Sequence, residues 1–308
     1  MSTVPDAKDR GASLGLFLQA LRPRQWIKNG LVFAGVIFAG ALTDPAALAR
    51  AMLGFVAFSL LSGSVYLFND LRDLEADRLH PRKRLRPIAS GRLSPRVARV
   101  GLVVVAAVAA ALAWALGPWF AAVAGGYLVL NVAYSMGLKH LVLIDVMAIA
   151  SGFVLRAIAG VELLRPIRPG LELSPWLLVC TFFLALFMAC GKRRQELLQQ
   201  DYEQAEGRRR VLLAYNAPFL DTLVTVSAAT TLVAYAIYTI WPATVEKFHT
   251  TGLLWTVPFV TYGVFRYLWL TRVGQEGEDP SATVITDRPL LVCVLLWLVA
   301  VAVVLYLR

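Results

Sequence analysis

Apolar residues along this chain come in long blocks, separated by short polar clusters and no sustained apolar–polar alternation. The blocks cover 26–42, 46–68, 96–116, 118–136, 141–161, 175–190, 212–240, 253–270 and 289–307. Several exceed the roughly 18 apolar residues that carry a helix across a bilayer. Backbone polar groups inside lipid must be satisfied within their own segment, so such blocks become helices. The pattern therefore predicts an all-α polytopic membrane protein with nine transmembrane helices. Composition agrees: 58% of the residues are hydrophobic and the mean hydropathy is +0.64, far too apolar for a soluble domain. No polar connection is long enough to fold on its own, so 1–308 reads as one membrane-embedded domain. Residues 1–13 read as a disordered polar tail leading into an amphipathic stretch, Leu14 to Leu21. No small-residue cleavage site follows the first block, so a removable signal peptide is not expected.

Charge gives the orientation. Basic residues crowd the N-terminal segment and the connections after the even-numbered blocks, with nine between Arg72 and Arg99 alone. The opposite face has only Arg50, Arg165, Arg168, Lys247 and Arg308. The positive-inside rule places the basic face in the cytoplasm, in a cell inner membrane, with the N-terminus inside and the C-terminus outside. A net charge of +10 concentrated in short loops beside spans is not a nucleic-acid footprint. It suits anionic head groups of membrane lipids and phosphorylated substrates.

Other chemistries find little support. Cys180, Cys190 and Cys293 lie inside apolar blocks, and the first two are about 15 Å apart along one helix, too far for a disulfide. His80, His140 and His249 have no metal-ligand spacing. Neither a zinc site nor a redox motif is expected.

The polar run with the most specific chemistry is Asn69-Asp70-Leu71-Arg72-Asp73-Leu74-Glu75-Ala76-Asp77, directly after the second block and before Arg78, Arg82, Lys83, Arg84 and Arg86. Carboxylates at i, i+3 and i+7 fall on one side of a helix, so Asp70, Asp73 and Asp77 can share cations while Leu71 and Leu74 pack elsewhere. Magnesium takes one or two carboxylates, keeps several waters and completes its shell with phosphate oxygens. Elsewhere such a run would read as a solvated helix end. At the end of a membrane span it reads as a magnesium-diphosphate site.

Three more polar clusters surround it: Arg22-Pro23-Arg24-Gln25-Trp26-Ile27-Lys28-Asn29; Tyr134, Lys139 and Asp145 around the turn between the fourth and fifth blocks; and Gly191-Lys192-Arg193-Arg194-Gln195-Glu196 after the sixth. Each basic cluster alone reads as a topology anchor or as a ligand site. Arg156, deep in the fifth block, is costly enough in lipid to be a functional candidate, or else it pairs with Glu162 or helix carbonyls.

These residues resemble the UbiA-type intramembrane prenyltransferase superfamily. The resemblance runs from Leu21 to Leu291 and rests on the Arg22–Asn29 segment, Asn69–Asp77 continuing through Arg86-Pro87-Ile88-Ala89, Tyr134 with Gly137-Leu138-Lys139-His140, Arg156-Ala157-Ile158-Ala159-Gly160, Gly191-Lys192-Arg193 with Glu196, and Asp287-Arg288. It implies a single UbiA-like bundle around a cavity open to the membrane and the cytoplasm. Ordinary members have a second aspartate-rich motif at the end of the sixth span, whereas this chain has Lys192, Arg193 and Arg194. Cations bind phosphate directly. The resemblance thus implies the branch that takes phosphoribosyl diphosphate, whose separate 5-phosphate needs them, and a polyprenyl phosphate as acceptor. In that reading Asp70, Asp73 and Asp77 hold magnesium and Asn69 orients its shell or a ribose hydroxyl. Lys28, Lys83 and Arg86 contact the donor or lipid phosphate, and Lys192 and Arg193 the 5-phosphate. Tyr134, Lys139 and Asp145 line the mouth, with Asp145 on a ribose hydroxyl or a second magnesium. The runner-up is a conventional prenyltransferase with an aromatic acceptor; a lipid transporter would not need the magnesium carboxylates. The sequence leaves the oligomeric state open, a homo-oligomer included.

Overall fold

The computed structural model describes residues 7–200, 210–273 and 280–306. Secondary structure among them is entirely helical. In chain order the α-helices are α1 (Ala7–Ala20), α2 (Ala34–Phe38), α3 (Pro45–Arg72), α4 (Leu74–Leu79), α5 (Pro95–Leu116), α6 (Pro118–Met136), α7 (Ile144–Glu162), α8 (Pro175–Gln200), α9 (Ala217–Ile240), α10 (Pro242–Phe248), α11 (Val257–Arg272), α12 (Pro280–Thr286) and α13 (Arg288–Tyr306). The expected disordered tail lies partly outside the described residues; its remainder, from Ala7, belongs to α1.

Proline at the first or second position starts α3, α5, α6 and α9, where its missing N–H is no loss. Side-chain caps precede three of them. Asp44 accepts from the Ala46 and Ala47 amides, Ser94 from Arg96, and Asn216 from Phe219 at 2.8 Å.

Among the described residues, seven helices are long and apolar enough to cross a membrane: α3, α5, α6, α7, α8, α9 and α13. The first and eighth expected spans are also helical, but in pieces. Pro23–Phe33 is a 3₁₀ segment that hands over to the short α2, and Gly252–Thr256 is a 3₁₀ turn before the 16-residue α11. In the first, the reason lies in Asn29. It is fully buried and donates to the Ser59 and Ser62 hydroxyls of α3, both at 3.2 Å, so the segment follows these polar contacts instead of a regular apolar stripe. Close packing does the rest. A Cβ on Gly160 of α7 would lie 2.3 Å from the Val32 carbonyl oxygen, so bare backbone is required where the two elements meet.

α8 departs from expectation in the other direction. The sequence ends this span at 190 and reads a loop beyond, but the helix runs on to Gln200. Arg193 and Gln195 are buried against neighbouring elements, so the basic stretch belongs to the bundle.

Two large apolar clusters fill the interior. One joins the first segment to α3, α5, α6 and α7 around Phe58, Phe120 and Leu163; the other joins α7, α8, α9, α11 and α13 around Phe187, Val224 and Tyr267. Between the second group of helices and the first segment lies a 440 Å³ cavity, lined by Leu184, Phe187, Phe259, Val264 and Trp297 among others, almost wholly apolar.

Candidate active site

Two polar clusters stand at the same end of the bundle, bridged by the turn between α6 and α7. The first contains the aspartates. α3 stops at Arg72; Asp73 sits at φ −91°, ψ 15°, and α4 starts at Leu74. The expected i, i+3, i+7 gathering on one unbroken helix is therefore corrected. The break turns Asp73 outward, 38% exposed and 3.5 Å from the Lys139 amine, and returns Asp77 to the side of Asp70. Asp70 and Asp77 are each only 2% exposed. One nitrogen of Arg86, Nη1, donates to Asp70 Oδ1 at 3.1 Å and to Asp77 Oδ2 at 2.5 Å. Arg22 Nη2 donates to the same Asp70 oxygen at 2.5 Å, with its guanidinium over the Tyr66 ring.

This arrangement tests the expected magnesium. Among the described residues no three carboxylate, histidine or cysteine side chains form a ready-made metal cage. Two carboxylates do converge on a single positive group, and hard oxygen donors in that number are what magnesium takes when phosphate oxygens complete its shell. The residues fit the ion, with Asp70 and Asp77 converging and Asp73 adjacent.

The second cluster centres on Arg193, expected at the 5-phosphate and held here inside the bundle. Arg193 is 1% exposed and all three guanidinium nitrogens are engaged: Nε with Asp145 Oδ2 at 2.7 Å, Nη1 with Glu196 Oε2 at 2.6 Å and Nη2 with the Tyr134 hydroxyl at 3.0 Å. It is a strut between helices, with each of its three nitrogens already bonded inside the bundle. Asp145, fully buried, accepts from Arg193 on one oxygen and from the Tyr215 hydroxyl at 2.7 Å on the other. Each of its oxygens therefore already has a partner within the bundle. Burial and the bond to Asp145 push the Tyr215 phenol well above the usual tyrosine range, so it stays a donor. The same hydroxyl accepts from the amide of Leu143, whose φ of +67° is strained for a branched residue. Helical geometry explains the split of the basic triplet: successive residues are about 100° apart, so three in a row cannot share a face. Lys192 is half-exposed beside Glu196, Arg193 points inward, and Arg194 bonds Asp221 on α9 at 2.7 Å.

Tyr134 and Lys139 connect the clusters, reaching Arg193 and Asp73 respectively. Lys28, Asn69 and Lys83 are half-buried, Lys28 on the 3₁₀ segment after Arg22, Asn69 beside Asp70, and Lys83 just before Arg86. Arg156 lies away from both clusters. It donates to Asn29 Oδ1 at 2.8 Å, to the Gly152 carbonyl at 2.9 Å and to the Tyr127 hydroxyl at 2.7 Å. The helix-carbonyl alternative holds and the Glu162 alternative does not, since Glu162 bonds Arg165. Sequence reasoning passed over Arg22 and Tyr215. Arg22 stood in a quoted basic cluster, but nothing marks Tyr215, which lies 70 residues from Asp145 in the chain.

Comparison with known proteins shows the family. The model of the UbiA prenyltransferase family matches residues 30–286. The chain belongs to that family. UbiA relatives include a decaprenyl-phosphate phosphoribosyltransferase of Corynebacterium glutamicum, 35% identical over 99% of this chain and 92% of the relative. Another, of the same description, from Mycobacterium tuberculosis, is 35% identical over 92% of both chains. Among solved structures, a UbiA homolog from Archaeoglobus fulgidus bound to GPP and Mg²⁺ superposes with a TM-score of 0.71, covering 94% of this chain and 99% of that one at 22% identity. That likeness shows the UbiA fold.

Proposed function

We propose that the protein transfers the 5-phosphoribosyl group of phosphoribosyl diphosphate to a polyprenyl phosphate and releases pyrophosphate. The observation that carries this reading is the near-full-length similarity to relatives named decaprenyl-phosphate phosphoribosyltransferase. The end of α8 supports it, with cations where other members carry aspartates.

Cleavage at the ribose C1 develops negative charge on the departing diphosphate. Magnesium, when bound, neutralises that charge. The chain's own groups do the rest. Asp70 and Asp77, with Asp73 at the rim, would hold the ion, and Asn69 stands beside them. Arg86 and Arg22 are within reach of the same oxygens and supply fixed positive charge for the phosphates. The acceptor oxygen is a phosphate already ionised at neutral pH, so no poised general base is required. Lys28, Lys83, Lys139 and Lys192 would contribute further positive charge for the 5-phosphate and the lipid phosphate. The 440 Å³ apolar cavity offers the prenyl tail a path toward lipid. The donor is a soluble metabolite, which accords with a site on the cytoplasmic face of the inner membrane.

The test is direct. Purified protein with magnesium, radiolabelled phosphoribosyl diphosphate and a polyprenyl phosphate should yield a labelled lipid and pyrophosphate. Absence of that lipid, with prenyl transfer from a prenyl diphosphate to 4-hydroxybenzoate instead, would replace this reading with the conventional prenyltransferase.

A further inference from the structure

The acidic site already carries counter-cations before any metal arrives. Asp70, Asp73 and Asp77 bring three negative charges; Arg22, Arg86 and Lys139 bring three positive ones, each within 3.5 Å of a carboxylate oxygen. Two of the carboxylates are 2% exposed, and Arg86 Nη1 occupies the point on which their oxygens converge. A divalent ion entering alone would add two charges to a site that already holds counter-cations and would have to displace the guanidinium from both buried carboxylates. An ion entering with a diphosphate solves both difficulties. The diphosphate brings the compensating negative charge, and its oxygens accept the guanidinium released from Asp70 and Asp77 as bidentate partners.

We propose that Arg86 is the resident counter-cation of the Asp70–Asp77 pair and exchanges those carboxylates for the donor's diphosphate, so that metal and donor bind as a linked pair and the free protein holds divalent metal weakly. This deepens the phosphoribosyl-transfer reading and rests on it for the identity of the donor. Arg22 stays on Asp70, steadied over Tyr66, and keeps that carboxylate oriented after the exchange. The linkage is reciprocal: whatever factor the diphosphate adds to metal affinity, metal adds to diphosphate affinity. Loss of the Arg86 charge breaks it in a direction that structural damage does not imitate, because the metal should then bind more tightly to the free protein.

Equilibrium dialysis of detergent-solubilised full-length protein against radioactive Mn²⁺, at fixed free Mn²⁺, reads this without turnover. Inorganic pyrophosphate and phosphoribosyl diphosphate serve as separate probes. For the unmodified protein, either diphosphate should raise Mn²⁺ affinity by at least about tenfold. Arg86→Gln should raise the affinity of the free protein by about tenfold or more and shrink the diphosphate effect, while Arg86→Lys, which keeps the charge, should stay near the unmodified value. Mn²⁺ binding that is equally tight with and without diphosphate in the unmodified protein overturns the proposal, as does an Arg86→Gln protein that binds Mn²⁺ no better. The first measurement needs no variant, so a misfolded Arg86→Gln leaves the proposal open to refutation. Enhancement by pyrophosphate but not by phosphoribosyl diphosphate would sustain the exchange and reject the assigned donor.

Discussion

Asp73 and Arg193 show how differently two charged side chains at one site respond to replacement. Asp73 is the exposed member of its group and holds only Lys139, so Asp73→Ala should leave folding nearly intact and lower turnover by about 10²-fold or more. An excess of chelator should stop transfer as completely; transfer at an unchanged rate in chelator would remove the metal from the account. Arg193 is the opposite case. Arg193→Ala strands the buried Asp145 carboxylate, and breaking a buried pair in this way costs about 3–5 kcal/mol, so the expected result is a lower unfolding temperature and poor recovery of monodisperse protein. Arg193→Lys should not rescue it, because one ammonium cannot serve Asp145, Glu196 and Tyr134 in the fork that guanidinium provides. A stable Arg193→Ala protein with a defect confined to donor binding would restore the phosphate-ligand role. The sequence made the chemistry of both residues legible, since residue type and neighbourhood pointed to a phosphate and metal site. It did not reveal the direction of each side chain, which depends on where α3 breaks and on how far α8 continues.

Elements were legible where the apolar block was long and cleanly capped. α3, α5, α6 and α13 begin within about one residue of the expected start, because Pro and capping residues mark them in the sequence. The first and eighth spans were not legible to the same degree. Their blocks are apolar, but the first contains Asn29, whose partners Ser59, Ser62 and Arg156 come from other elements and so leave no local trace. The contact between that first segment and α7 is narrow enough to test. Gly160→Ala would set a methyl group against the Val32 carbonyl and Gly35, and backbone cannot rotate aside as a side chain can. Overpacking of this kind costs about 1–3 kcal/mol or more, visible as a drop in thermal stability. Activity per folded molecule should fall too, because Lys28 and Arg22 lie on or beside the displaced segment. Equal stability in Gly160→Ala would show that the two elements are less tightly apposed.

At the level of the whole molecule, the polar chemistry is gathered at one end of the bundle and the apolar cavity extends into its middle. The charge asymmetry of the loops predicts which end meets which compartment. In right-side-out vesicles, a cysteine at Ser90 should react only after the membrane is opened, and one at Thr250 should react directly with an impermeant reagent. Reaction of both from one side would overturn the assigned topology. If the proposed donor enters from water, a polar site inside a protein that crosses the bilayer also meets the problem of conducting protons. Arg156 bears on that problem. The groups holding it directly are neutral, an amide oxygen, a backbone carbonyl, a phenol hydroxyl and the faces of Tyr127 and Phe153. A fixed positive charge in a poorly hydrated interior repels hydronium and metal cations alike. A positive charge held at Arg156 thus opposes the passage of cations through this part of the bundle.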